Sequence, residues 1–324
     1  MGIRIRIATS TSELEDLFRL RYRVYVDQEG AMPETSSKMI FDRFDAYPDT
    51  ANVVALDNDR VVGGVRFVAP SVAGTSAEEL YDYTRVVQIH GGRIACGSML
   101  CLDRGHRAGS IGDGMLSLGL AWLRSLSVSH VLVCANPNAR NFLQRNGWAP
   151  IAGETMNDER NLRVLPMSLD FATYQHPLWP FLKEHGLDGT IRDLERRSYR
   201  AGETIIRPGG AGDTLFRILS GEVSVRTADG TSIETLGPGG LFGEVEVLAG
   251  LRRSSELVAH TDVDLIAVSR AQLERAVDGS PALALTVLRS MAERLAGLMD
   301  RLEHGAARRA RARFPRLHGA GDVT

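Results

Sequence analysis

The sequence predicts an α+β protein of two unlike halves: a mixed sheet flanked by helices, then a small β jelly-roll barrel with a long C-terminal helix. Three observations predict it. Up to about residue 172, β-rich runs alternate with runs of helical period. From Tyr199 the runs become short and are punctuated by glycine, from Gly202, Gly209 and Gly212 through Gly221 and Gly230 to Gly237, Gly240 and Gly243. From Pro281 to Glu303, Leu288, Met291, Leu295, Leu298 and Leu302 recur at alternating spacings of three and four.

A chain of 324 residues has room for two domains. Its 38 Lys and Arg against 40 Asp and Glu leave a net charge of −2, so no global field draws it to nucleic acid or to a membrane surface. It has no long apolar run, and Met1–Thr11 lacks a signal-peptide pattern. A cytoplasmic protein without a membrane span is therefore expected. Cys96, Cys101 and Cys134 show no C-x-x-C spacing, so neither a metal site nor a disulfide framework is expected. Buried inert thiols are.

Within the first half, Arg4–Ile7 alternates as a short strand, and Ser10 to Glu13 is a capping box. Leu14, Leu17, Phe18, Tyr22 and Tyr25 follow at helical spacing. Asp27 to Tyr47 is less regular, either a substrate-side flap or a loop packed on the core. Asn52–Leu56 and Val61–Val68 flank a turn and read as a hairpin. The apolar run Ile94–Leu102 leads into a loop holding Gly105, Gly109, Gly112 and Gly114, and then into an apolar helix from Met115 to Leu126. Strand, glycine-rich loop and helix together can wrap a pyrophosphate in backbone N–H groups. Val131–Ala135 and Val164–Leu169 complete the strands. His90, His106 and His130 are isolated. The expected boundaries are 1–172 for the first domain, 173–197 for a helical connector after Pro177 and Pro180, 198–303 for the barrel with its helix, and 304–324 for a basic flexible tail.

The second half centres on Phe242-Gly243-Glu244, a short helical run, and Arg253-Ser254. A helix N-terminus, one acid and one arginine suit a sugar phosphate with a single negative charge. Several spaced motifs here agree with one family: Ala201-Gly202-Glu203, Ile218-Leu-Ser-Gly221-Glu222-Val223, Leu236-Gly237-Pro238-Gly239, Phe242-Gly243-Glu244 and Arg253-Ser254. In order and spacing the run resembles the cyclic-nucleotide-binding domain family. The resemblance implies that Glu244 holds the ribose 2′-hydroxyl, that Arg253 and Ser254 hold the cyclic phosphate, and that Gly243 and Val245 make backbone contacts. cAMP and cGMP both remain open as effector. After the long helix too few residues remain for a helix-turn-helix module, so no nucleic-acid partner is expected. The leucine stripe suits a homodimer seam, a lid over the nucleotide, or packing on its own barrel.

The first half resembles the GNAT acyltransferase superfamily. Arg107-Ala-Gly109-Ser110-Ile-Gly112 stands where that family has its pyrophosphate loop, and Asn136-x-x-Ala139 with Gly147-Trp148 is similar to its second motif. Leu20 to Val26, Phe41-Asp42-Arg43-Phe44-Asp45 and Val62 to Phe67 resemble the branch of autoinducer synthases and N-acyl-amino-acid synthases. The resemblance implies that the acyl donor, acyl-CoA or acyl carrier protein, enters where two strands splay. There the Leu102 N–H polarises the thioester, and Arg107, Gly109, Ser110, Gly112 and Asn136 hold the carrier. It also implies catalytic roles for Asp45, as base, and for Arg66 and Ser98; Asp103 and Glu154 are weaker candidates for the base. A structural ion-pair cluster is the other reading of Arg21, Asp42, Asp45 and Arg66. Three departures stand out: Ser110 replaces a glycine of the loop, Leu143 stands where many members carry the tyrosine that protonates the leaving thiolate, and the strand before the loop reads Cys96-Gly97-Ser98-Met99 where the branch has Glu-x-Ser-Arg.

The expectation is an N-acyltransferase set by a cyclic nucleotide, acting on a small-molecule or protein amine. The alternatives are a non-catalytic sensor with a degenerate donor-binding domain and a regulated protein lysine acetyltransferase.

Overall fold

A computed structural model of the chain describes residues 2–71, 74–84, 93–107, 109–158, 162–176, 178–227, 230–279, 284–289, 291–293, 295–297 and 299. His90, Leu298, Leu302 and the basic run 304–324 lie outside the described residues. The first half supplies β1 (Ile3–Ile7), β2 (Thr50–Asp57), β3 (Arg60–Val68), β4 (Ile94–Leu102), β5 (His130–Ala135), β6 (Ala149–Pro150), β7 (Thr155–Asn157) and β8 (Leu162–Asp170). The second supplies β9 (Glu195–Tyr199), β10 (Thr204–Ile206), β11 (Thr214–Ser220), β12 (Val223–Arg226), β13 (Ser232–Leu236), β14 (Leu241–Phe242), β15 (Glu256–Ala259) and β16 (Val263–Ser269). The α-helices are α1 (Thr11–Tyr22), α2 (Ile111–Ser125), α3 (Arg140–Arg145), α4 (Leu178–Glu184), α5 (Glu244–Ala249) and α6 (Arg270–Gly279). The described residues from 284 to 299 are helical as well.

The strands do not separate at the domain boundary. One sheet runs β14-β11-β16-β9-β1-β2-β3-β4-β5-β8-β6, with β7 beside β8. A second sheet, β10-β15-β12-β13, closes the barrel. The seam is β9, which pairs antiparallel with β1 through Ile5↔Arg196 and with β16 through Ile266↔Arg196. β9 begins at Glu195, inside the stretch expected as helical connector; the connector itself holds α4 and a 3-10 turn at Asp188–Asp193.

Local chemistry explains the elements. Ser10 and Glu13 make both halves of the capping box that starts α1. α2 is apolar almost all round because it is covered on both sides. Met115, Leu118 and Leu120 are fully buried, and a Cβ at Gly119 would overlap the Phe67 ring of β3. Only glycine lets the helix lie that close to the sheet. The C-terminal helical segment packs inward through Val287 and Met291, while Leu285, Leu288, Leu295 and Met299 face outward. Among the described residues no helix is long and apolar enough to cross a membrane.

Candidate functional site

The first site is where β4 leaves β5. The two strands run parallel and pair at Ile94↔His130, Ala95↔Val131 and Cys96↔Leu132, and the pairing stops there. A bulge lies opposite, between Gly64 and Arg66 of β3, and Met99 takes a left-handed φ of 54° to make it. Beyond it the Asp103 N–H donates to Val62 O at 2.8 Å, toward β3. Strand alternation therefore turns the Leu102 N–H to the opposite edge, into the opened gap. The loop with Arg107, Gly109 and Ser110, the first turn of α2 with Gly112, and Asn136 all gather at the C-terminal ends of this parallel pair. Arg107 half-covers the gap: its Nε donates to Leu102 O at 3.2 Å and its Nη2 to Glu29 at 3.1 Å. Asn136 caps a 3-10 turn by accepting from the Asn138 N–H at 3.0 Å.

Around Ser98 of β4 lies a buried ion network. Arg21 and Arg66 are both fully buried. Arg21 donates to both oxygens of Asp45, at 3.0 and 2.9 Å, and to Asn52 Oδ1 at 2.7 Å. Arg66 donates to Asp45 at 2.8 Å, to Asp42 at 2.6 and 3.0 Å, and through Nε to Ser98 Oγ at 3.0 Å. The Phe18 and Phe44 rings lie against the two guanidiniums. Burial pushes the Asp42 carboxyl up, but the Arg66 hydrogen bonds and charge outweigh it and hold it below the usual range. Asp45 has its lone pairs occupied by both arginines and by the Asp42 N–H, whereas Asp42 is the cluster's part-exposed carboxylate, at 35%. Sequence reasoning missed Asn52, which gives no motif, and Tyr25. A π-helical turn at Arg23–Gln28 follows α1 and brings the Tyr25 hydroxyl to Leu100 O at 2.7 Å, beside the bulge. Asp103 is paired with Arg60, Glu154 lies 3.7 Å from Arg163, and His106 faces Asp57. Leu143 packs in the core.

The second site is the pocket around α5. Gly243 adopts φ 80°, and a Cβ there would lie 2.5 Å from Arg253 Nη1 and 2.9 Å from Thr214 O. Glu244 is fully buried, while Val245 is exposed. The Arg253 guanidinium is buried and donates to Ala211 O at 3.0 Å, to Gly243 O at 3.1 Å and to Thr214 O. Its remaining anionic partner is Glu246, 3.5 Å away. Glu246 also accepts from the Ser254 hydroxyl at 2.9 Å and the Ser254 N–H at 3.3 Å. One carboxylate thus sits where three groups of Arg253 and Ser254 converge. Burial pushes Glu246 up, yet Ser254 and then Arg253 bring it below the usual range.

The splayed pair with its donor loop defines an acyltransferase-type domain, and the barrel with its arginine-bearing cassette a nucleotide-binding one. Residues 16–170 match the family model described as N-acyl amino acid synthase FeeM, and residues 196–280 match the cyclic nucleotide-binding domain. The first half is thus similar to N-acyl amino acid synthases and the second to cyclic nucleotide-binding domains. A cyclic nucleotide-gated potassium channel of Rhizobium etli is 35% identical over 121 residues, covering 37% of this chain and 34% of the channel. A cyclic AMP receptor protein of Thermus thermophilus is 33% identical over 123 residues, 37% of this chain and 57% of that protein. The chain spans about a third of the length of the first curated relatives it matches. Among solved structures, FeeM, an N-acyl amino acid synthase from uncultured soil microbes, superposes with a TM-score of 0.47 at 14% identity, over 56% of this chain and 99% of FeeM.

Proposed function

We propose that the chain transfers an acyl group from acyl-CoA or acyl carrier protein to the amine of an amino acid, at a rate set by cAMP or cGMP. The observation that carries the reading is the sharing of β4. Ser98, held by Arg66, and Leu102, with its N–H in the gap, lie four residues apart on one strand, about 13 Å in extended chain. An acceptor bound over the arginine network reaches a thioester lying in the gap. The neutral amine attacks the carbonyl carbon, and the Leu102 N–H stabilises the oxyanion. The carbon–sulfur bond breaks, and the thiolate takes up a proton as the amine nitrogen loses one. In this scheme Asp45 fixes Arg21 and Arg66, Ser98 orients Arg66, and Asp42 faces the acceptor. Glu244 holds the ribose, and Arg253 and Ser254 hold the phosphate. The outward apolar face of the C-terminal helix supports pairing with a second copy.

The test is mass spectrometry of reactions of the full chain with an acyl-CoA and acyl-carrier panel and a mixture of amino acids, with and without each nucleotide. An N-acyl amino acid whose rate responds to one nucleotide, with the response abolished in Arg253→Ala, is the expected result. A product on protein lysines alone replaces the acceptor in this reading. The buried Leu143, which leaves no phenol to protonate the thiolate, favours a second reading as a non-catalytic sensor. Saturable acyl-CoA binding with no product on any amine selects it.

A further inference from the structure

Ser110 is the residue that departs from the glycine expected in the donor loop, and its side chain is diverted. It is the N-cap of α2, yet its hydroxyl makes no bond to the first turn, where a serine cap ordinarily accepts from a backbone N–H. Instead it donates to Asp264 Oδ1, 3.3 Å away on β16 of the nucleotide domain. The same carboxylate accepts from Ser198 on β9 and, at 3.4 Å, from Ser220 on β11. Its other neighbour is the buried Arg196, 3.7 Å away. Arg196 in turn donates to Ser117 Oγ, further along α2, and a Cβ added at Gly114 would lie 3.7 Å from Arg196 Cζ. Two residues of the barrel side therefore grip α2 at its cap and again along its first turns.

Asp264 also stands close to the nucleotide pocket in topology. It pairs with Ser220 at a bulge in the β11–β16 ladder. The other end of β11 is Thr214, whose carbonyl takes Arg253, and Phe216 of β11 pairs with Phe242, directly before Gly243. A shift of β11 on nucleotide binding thus reaches the Asp264 carboxylate through one pair of strands. Because the Ser110 hydroxyl is turned to Asp264, it does not occupy the first-turn N–H groups of α2, and these stay available to an anion.

We propose that Asp264 and Arg196 are positioning residues for the acyl-donor loop: the barrel holds Ser110 and Ser117, and so sets how the amides at the start of α2 meet the donor's diphosphate. The proposal rests on the acyl-transfer reading for its ligand, but the contact itself is testable without it.

The experiment is hydrogen exchange on the full chain, wild type against Ser110→Ala, Asp264→Asn and the double variant, with CoA affinity by calorimetry and donor KM as companion readouts. Both single variants are expected to raise exchange at residues 109–114 about tenfold, and the double variant to add nothing further. CoA affinity should fall about fivefold, and in Asp264→Asn donor KM should rise with kcat changed less than twofold. Ser110→Ala removes only a hydroxyl, so it decides the question even if Asp264→Asn does not fold. Unchanged loop exchange in Ser110→Ala overturns the proposal whatever the protein acylates. Altered exchange with unchanged CoA affinity and donor KM overturns it as well. If the wild type neither binds CoA nor makes product, the acyl-transfer reading fails, and the loop exchange still decides the contact.

Discussion

Glu246 and Arg253 lie 3.5 Å apart, and the Glu246 carboxylate also takes both polar groups of Ser254. Those donors are the ones proposed to hold the cyclic phosphate, so under the proposed function an internal anion occupies the position of the ligand's charge. A phosphate must displace it, and like charges at that distance oppose entry. Glu246→Ala is expected to tighten cAMP or cGMP binding about tenfold or more by titration calorimetry. An unchanged or weaker affinity would show that Glu246 supports the site rather than competing for it.

The arginine network makes a stability prediction. Arg66→Met leaves two carboxylates facing one remaining buried guanidinium, Arg21, and breaking a buried pair from one side costs about 3–5 kcal/mol. A loss of that size is a large fraction of a domain's stability. Denaturant unfolding of the full chain should show it. Loss below about 1 kcal/mol would mean that the network is hydrated rather than buried.

A pH dependence follows from His176. Burial, and then the Arg196 charge, hold its imidazole down at about 4, against about 6.5 in an unfolded chain. Its Nδ1 accepts from the Leu178 N–H at 3.1 Å, which only an unprotonated Nδ1 can do. Between those two values the unfolded state binds more protons than the folded one. Stability is therefore fully present above about pH 6.5 and is lost as pH falls toward 4. Allowing for part exposure, the loss is on the order of 2 kcal/mol. His176→Asn, which keeps an acceptor but does not titrate, should flatten the urea midpoint between pH 7 and pH 5. An equally steep profile in that variant would assign the effect to other groups.

The cysteines should be inert. Burial pushes the Cys101 thiol up to about 12 and the Cys134 thiol to about 11, and raises Cys96 as well. At pH 7.5 so little thiolate exists that a disulfide reagent should label none of them within minutes in the native protein, and all three after denaturation. Rapid labelling of Cys134 in the native state would place it in an open cleft.

Much of the architecture was legible because it is written locally. Ser10 and Glu13 mark a helix start, the turn at residues 57–60 marks a hairpin, and the glycine-punctuated runs after Tyr199 mark a barrel. Arg21, Asp42, Asp45 and Arg66 were singled out together and are brought together. What was not legible depends on partners distant in sequence. Period-two patterning marks β1 as a strand, but β9 starts within the stretch expected as a helical connector, and nothing in Ile5 or Arg196 says that they pair, so the continuous sheet and the Asp264–Ser110 bond were invisible. A second acid in a short helix carries no motif, so the sequence gives Glu246 no signal. Helical spacing makes Tyr25 a continuation of α1, whereas the π turn re-aims it at Leu100.

In the proposed function, nucleotide bound in the barrel sets acyl transfer in the first domain. The most direct measurement is the initial rate of N-acyl product formation by the full chain, titrated with cAMP and with cGMP. A saturable change in rate is expected with one of them, at the concentration where calorimetry shows it bind. A rate that stays flat while the nucleotide binds would contradict it.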